Sequence, residues 1–175
     1  VSTTTRRNEV VGFIRGESTY NKDNWKLGDT FRSNPVTVGT PSAYFKDARD
    51  AAAAFATFRT TNLRTTANGK RIVVAGSNDG QLHAFRTDTG GEVWSFIPPN
   101  VLTKLKDIAH KSHPTGLTHQ YFVDGPISVA DVWVGTGDGT TKSAADWKTL
   151  MIFGEGRGGT STLWSSSASC DSGFQ

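Results

Sequence analysis

Short strands separated by glycine-rich turns run through this sequence, and they predict a mainly β fold with two helical insertions. Three observations carry that expectation. The 19 glycines cluster in Asp-Gly and Gly-x-Gly turns, which favours many short strands over long helices. From Arg71 to Ile97, three strands are joined by two tight turns. About nine candidate strands can be marked along the chain, enough for roughly two four-stranded units.

The Arg71–Ile97 stretch is the best defined. Ile72 to Ala75 is a compact β-branched run that suits a buried strand. Gly76-Ser77-Asn78-Asp79-Gly80 is the first turn, with Gly80 supplying the positive φ that an Asp-Gly hairpin demands. Leu82, Ala84 and Arg86 alternate with Gln81, His83 and Phe85 in the second strand. Thr87 to Gly91 is the second turn. Glu92 to Ile97 is the third strand, with Val93 and Ser95 on one face and Trp94 and Phe96 on the other. Strand, Asn-Asp-Gly, strand, Asp-x-x-Gly, strand with Trp is the pattern of a β-propeller blade. Two blades fall short of the four or more that a closed propeller needs. The expectation is therefore a partial propeller of about two blades, completed by missing sequence or a partner chain.

The remaining elements follow in chain order. Val1 to Arg7 is polar and reads as poorly ordered, with neither an initiator Met nor a signal-peptide core, as in a processed chain or an excised piece. Glu9 to Arg15 is a short apolar segment, and Ser18 to Asp23 a loop. Asn21, Asp23 and Asn24 carry oxygen ligands, but the spacing lacks the glycine and terminal Glu of a calcium loop, so no metal is assigned there. Pro35 to Val38 suits an edge strand opened by proline. Tyr44 to Asn62 predicts a helix, because Tyr44, Ala48, Ala51, Phe55 and Phe58 form one apolar stripe for packing on the sheet. Pro98-Pro99-Asn100 opens a shorter helix, Val101 to Ile108. His110, His113 and His119 have no cysteine or acidic ligand at zinc spacing and read as solvated. Tyr121 to Pro126 is a strand and turn. Ile127 to Val134, interrupted by Asp131, and Trp147 to Phe153 are further strands, followed by a last one at Thr160 to Trp164 and a serine-rich tail.

Composition excludes several functions. A net charge of +3 is too mild to argue for nucleic acid, and Lys and Arg form no stripe. No stretch approaches the roughly 20 apolar residues of a membrane span. Gly154, Gly156 and Gly159 satisfy Gly-x-Gly-x-x-Gly, but no helix follows to meet a pyrophosphate. No nucleophile motif is present, and no catalytic, cofactor or metal residue is assigned. Cys170 is the one cysteine, either a free thiol or half of a disulfide whose partner lies elsewhere.

Five blocks in order resemble one family. Leu27-Gly28-Asp29 with Ser33-Asn34-Pro35-Val36, Val74 to Phe85, Glu92 to Pro98, Tyr121 to Pro126 with Val129 to Val132, and Trp147 to Leu150 with Gly154 to Gly159 resemble the C-terminal β-propeller of PilY/PilC-type proteins, the type IV pilus assembly factors and tip adhesins. The blade alone also resembles quinoprotein dehydrogenases, which carry pyrroloquinoline quinone, and a fragment of such an enzyme is the alternative. The Phe-Val-Asp-Gly-Pro and Trp-Lys-Thr blocks favour the pilus family.

The resemblance implies an extracytoplasmic protein: periplasm or outer membrane during assembly, then the pilus tip at the cell surface. It would be a binding and structural protein rather than an enzyme, supporting pilus assembly, twitching motility and attachment. Implied partners are the remainder of the propeller, pilin or minor pilins, and a host or abiotic surface. The family's calcium loop lies outside this segment, so no cofactor is expected within it. Arg15-Gly16-Glu17 stands where an integrin motif would need Asp. The division that follows is a lead-in over residues 1–24, first blades over 25–164 and a tail over 165–175. Cys170 would pair with the remainder in an oxidising compartment. Asn78, Asp79, Gly80, Asp124, Gly125 and Asp131 are expected to structure the blade turns, the acids and amide by side-chain bonds to backbone.

Overall fold

The β-branched run and the turn residues after Lys70 fold as their pattern dictates. In the computed structural model, which describes residues 3–109 and 118–159, β1 (Val36–Val38), β2 (Ile72–Gly76), β3 (Leu82–Arg86) and β4 (Glu92–Phe96) form one antiparallel sheet in that order. β5 (Ile127–Trp133) and β6 (Trp147–Phe153) pair as a separate antiparallel hairpin. Helix α1 (Thr4–Ile14) precedes the first sheet, α2 (Ala54–Thr61) is inserted between β1 and β2, and a 3-10 helix (Pro99–Asp107) links β4 towards β5. The architecture is mainly β with open sheets. Among the described residues it amounts to one full four-stranded blade and two strands of a second.

The two sheets meet face to face. Period-2 alternation puts Val74, Leu82 and Ala84 on one side of the first sheet, and they bury against Val123 and Ile127 with Val129, Met151 and Phe153 beside them. Phe96 meets Phe153 edge-on at 6.2 Å between ring centroids. Burying a side chain such as Val74 or Leu82 contributes about 1.5–3 kcal/mol. Gly76 permits the close approach, because a Cβ there would lie 2.5 Å from the Val123 carbonyl oxygen. Gly76→Val is therefore expected to cost about 1–3 kcal/mol or more, read as faster hydrogen exchange of β2 and β3 amides in the full-length protein. Unchanged exchange would show that the sheets do not depend on this contact.

The opposite face of the β5–β6 hairpin is uncovered. Ala130, Leu150 and Ile152 point away from the first sheet, and Ile152 is 74% exposed. A propeller blade uses such a face to pack on its neighbour.

The predicted helices are corrected in extent. The stripe from Tyr44 to Asn62 predicts one long helix, but α2 spans only Ala54–Thr61. The Asp50 carboxylate accepts from the Phe55 N–H at 3.2 Å, and Ala53 is left-handed with φ 51°, so the helix cannot extend backwards. Phe55 and Phe58 still bury, against Trp147, whereas Tyr44 is 96% exposed. The second helix begins at Pro99 and is of 3-10 form, with Val101 and Leu105 buried. Tyr121 to Val123 is not a strand; it is a bent segment, buried at Phe122 and Val123, held to the β2–β3 turn.

One helix has no counterpart in the sequence reading. Thr3 caps α1 by accepting from the Arg6 N–H at 3.2 Å, and Val10 and Phe13 pack with Val101, Leu105 and Phe122. The segment from Thr4 to Arg7, read as poorly ordered, is its first turn. The strand expected at Thr160 to Trp164, the serine-rich tail and Cys170 lie outside the described residues.

Candidate functional site: a polar junction at one end of the blade

Antiparallel pairing fixes which connections meet. The start of β1 lies beside the end of β2, and the start of β5 beside the end of β6. The loop before β1, the β2–β3 turn, the segment before β5 and the turn after β6 therefore converge at one end of the two sheets. Their backbone groups need partners away from water, and buried side chains supply them.

Asp79 is the centre of this junction. Its Oδ1 accepts from the Gln81 N–H at 3.0 Å, closing the turn on itself, while Gly80 takes φ 97°. Its Oδ2 accepts from the Gly28 N–H at 3.0 Å and meets His83 Nε2 at 2.9 Å. Asn78 faces both ways: its Oδ1 accepts from the Phe122 N–H at 3.0 Å, and its Nδ2 donates to Asp29 Oδ2 at 2.9 Å. Asp124 Oδ1 accepts from the Arg32 N–H at 3.0 Å, and its Oδ2 has no protein partner. Gly125 lies against the Gly154 backbone, where a Cβ would collide with the carbonyl. Asp131 is elsewhere, inside β5, and accepts from the Thr149 hydroxyl at 2.6 Å across the strand pair. Its partner is a side chain, not turn backbone.

His83 and Glu92 complete the junction, and sequence reasoning did not find their contact. Strict alternation places Glu92 with Trp94 and Phe96, on the other face from His83. A bulge breaks the β3–β4 register between Ala84 and Phe85, so Phe85 pairs with Glu92 while Ala84 pairs with Trp94. The bulge re-aims Glu92, and its Oε1 reaches His83 Nδ1 at 2.6 Å. His83 is thus held by a carboxylate at each ring nitrogen while only 3% exposed.

Burial alone would push the His83 pKa down, but the hydrogen bonds and charges of Asp79 and Glu92 outweigh it and raise the pKa above 6.5. When protonated, the imidazolium donates to both carboxylates. A raised folded-state pKa stabilises the fold fully below pH 6.5 and loses that contribution as pH rises through the folded value. Protection of the β2–β3 turn amides, measured relative to their intrinsic base-catalysed exchange, is accordingly expected to fall on the alkaline side, and His83→Gln to remove that pH-dependent loss of protection. A turn equally protected across that range would contradict the assignment.

The junction is built to hold chain segments together. Beside it lies a shallow cavity of about 280 Å³ whose lining includes His83, Glu92 and Lys26. Among the described residues, no group of three or more acids, histidines or cysteines could hold a metal ion. Asn21, one of the three oxygen donors near the chain start, is buried: it accepts from the Trp25 N–H at 2.8 Å and donates to the Trp25 and Phe13 carbonyls. Among the described residues, no helix is long and apolar enough to cross a membrane.

Comparison with known proteins locates this geometry. Residues 27–171 match the family model for the PilY1 beta-propeller domain. The type IV pilus biogenesis factor PilY1 of Pseudomonas aeruginosa strain PAK is 35% identical over 156 residues, which is 85% of this chain and 12% of the relative. The PilY1 homolog of Xylella fastidiosa strain Temecula1 is 32% identical over 135 residues, 76% of this chain and 10% of the relative. The chain thus spans about a tenth of the length of the curated relatives it matches. No solved structure matches it.

Proposed function

The chain belongs to the PilY1 β-propeller family, and on that premise we propose that it forms the opening blades of the propeller in a type IV pilus biogenesis factor. The match over residues 27–171 carries this reading. The segment acts as a binding and structural module rather than a catalyst, in an extracytoplasmic protein that reaches the pilus tip and supports assembly, twitching and attachment. Residues 25–164 supply the first blades, residues 1–24 lead into them and residues 165–175 lead out. Asn78, Asp79 and Asp124 hold the blade turns and are not ligand contacts. The partners are the rest of the propeller, then pilin subunits and the contacted surface.

The uncovered face of β5–β6 supports completion by further strands, because exposed apolar sheet faces and edges invite pairing. Placing Ile152→Asp in the full-length protein tests the function in cells. Ile152 is 74% exposed in this segment, so the variant spares its internal packing while blocking the next blade. The expected result is loss of surface pili and of twitching. Normal piliation with an assembled variant would count against a role for this propeller in pilus biogenesis.

A further inference from the structure

The loop end of the two sheets also carries an exposed cluster of rings and cations. Phe31, 63% exposed, lies 6.3 Å from Tyr121 between ring centroids. The Arg32 guanidinium sits 5.6 Å from the Phe31 ring centre and that of Arg157 5.3 Å from Tyr121. His119 meets Tyr121 edge-on at 4.7 Å. Among the described residues, neither guanidinium has a carboxylate partner. The acids around the cluster are engaged elsewhere: Asp29 by Asn78 at 2.9 Å and His119 at 2.9 Å, Asp124 by the Arg32 backbone N–H at 3.0 Å, and Glu155 by Asn100.

We propose that this surface docks an acidic peptide segment of a partner protein. Charge complementarity selects the occupant: two guanidiniums fixed over rings present donors suited to carboxylates, and rings beside them cover apolar side chains. Aromatic residues and Arg are the side chains enriched at interface hot spots. The loop bearing Phe31 is pinned on both sides, by Gly28 on Asp79 at 3.0 Å and by Arg32 on Asp124 at 3.0 Å. Its shape is set before a partner arrives, which lowers the ordering cost of binding. Blades stack through sheet faces, so completing the propeller leaves this loop end free. A nucleic acid strand would need a longer basic groove than two arginines on a chain of net charge +3. The acidic partner is defined by this surface chemistry and holds whether or not the whole protein builds pili.

The test uses the purified full-length protein and three labelled probes: a short peptide of alternating Glu and Phe, its counterpart with Lys for Glu, and an oligo-dT strand. The Glu-Phe peptide is expected to bind, and more weakly at high salt. Arg32→Glu combined with Arg157→Glu should weaken it by at least about tenfold. Arg32→Lys with Arg157→Lys should retain part of the binding, and Lys70→Glu, at the opposite end of β2, should leave it unchanged. Phe31→Ala should weaken it independently of salt. Failure of the Glu-Phe peptide to bind, equal binding of the Lys peptide, tighter binding of oligo-dT, or indifference to the charge reversal would each overturn the proposal.

Discussion

Asp79→Ala is expected to loosen the whole end of the blade by about 3–5 kcal/mol, the cost of breaking a buried charged pair by removing one partner. Asp79 accepts from Gln81, Gly28 and His83, so three chain positions lose their partner in one step. The Gly28 N–H would be left buried without an acceptor, and so would one N–H of the His83 imidazolium. Glu92 would still hold the other ring nitrogen. Asp79→Asn keeps an acceptor for the backbone and removes the charge, so its effect should be smaller. Hydrogen exchange across β2, β3 and the loop before β1 reads both variants. A loss below about 0.5 kcal/mol for Asp79→Ala, the size of an ordinary surface change, would show that the junction does not organise the blade.

The second large effect is at Trp147. Its ring is buried among Phe55, Phe58 and Phe45, at centroid distances of 4.7, 6.3 and 5.7 Å. Lys142 lies over the Trp147 and Trp133 rings at 5.4 and 4.9 Å while paired with Asp47. Trp147→Ala should cost about 3–5 kcal/mol and release α2, because this ring is what the helix packs on. Trp147→Phe retains most of the contact and removes an indole N–H that has no partner. It should cost much less. Exchange of the α2 amides distinguishes the outcomes, and protection of α2 unchanged in Trp147→Ala would contradict the packing described.

The sequence was most legible where local chemistry and tertiary packing agree. The Ile72–Gly76 run, the Asn-Asp-Gly turn and the Glu92–Phe96 strand needed only β-branching, glycine and period-2 alternation to place. The same rules failed where a single residue breaks a period. One bulge opposite Ala84 and Phe85 carried Glu92 to the face of His83, and nothing in Glu92-Val93-Trp94 announces it. The helix before Ala54 failed for a related reason. An alanine run has high helix propensity, but Asp50 bonds the Phe55 N–H and starts the helix late. α1 was missed because Thr4 to Arg7 has no apolar stripe of its own; its order comes from Val10 and Phe13 packing on Val101 and Leu105. Asp79 and Asp124 stood out as acids at turns, whereas their partners, Gly28 and Arg32, are distant in the chain and declare themselves only once folded.

The described residues form a blade and a half, which we propose further strands complete. Carbene footprinting of the full-length protein, compared with this 175-residue segment alone, tests that most directly. Leu150 and Ile152 should label strongly in the segment and weakly in the full-length protein, while Phe31 labels in both. Strong labelling of Leu150 and Ile152 in the full-length protein would mean that no blade packs on β5–β6, and the propeller reading of this chain would fail.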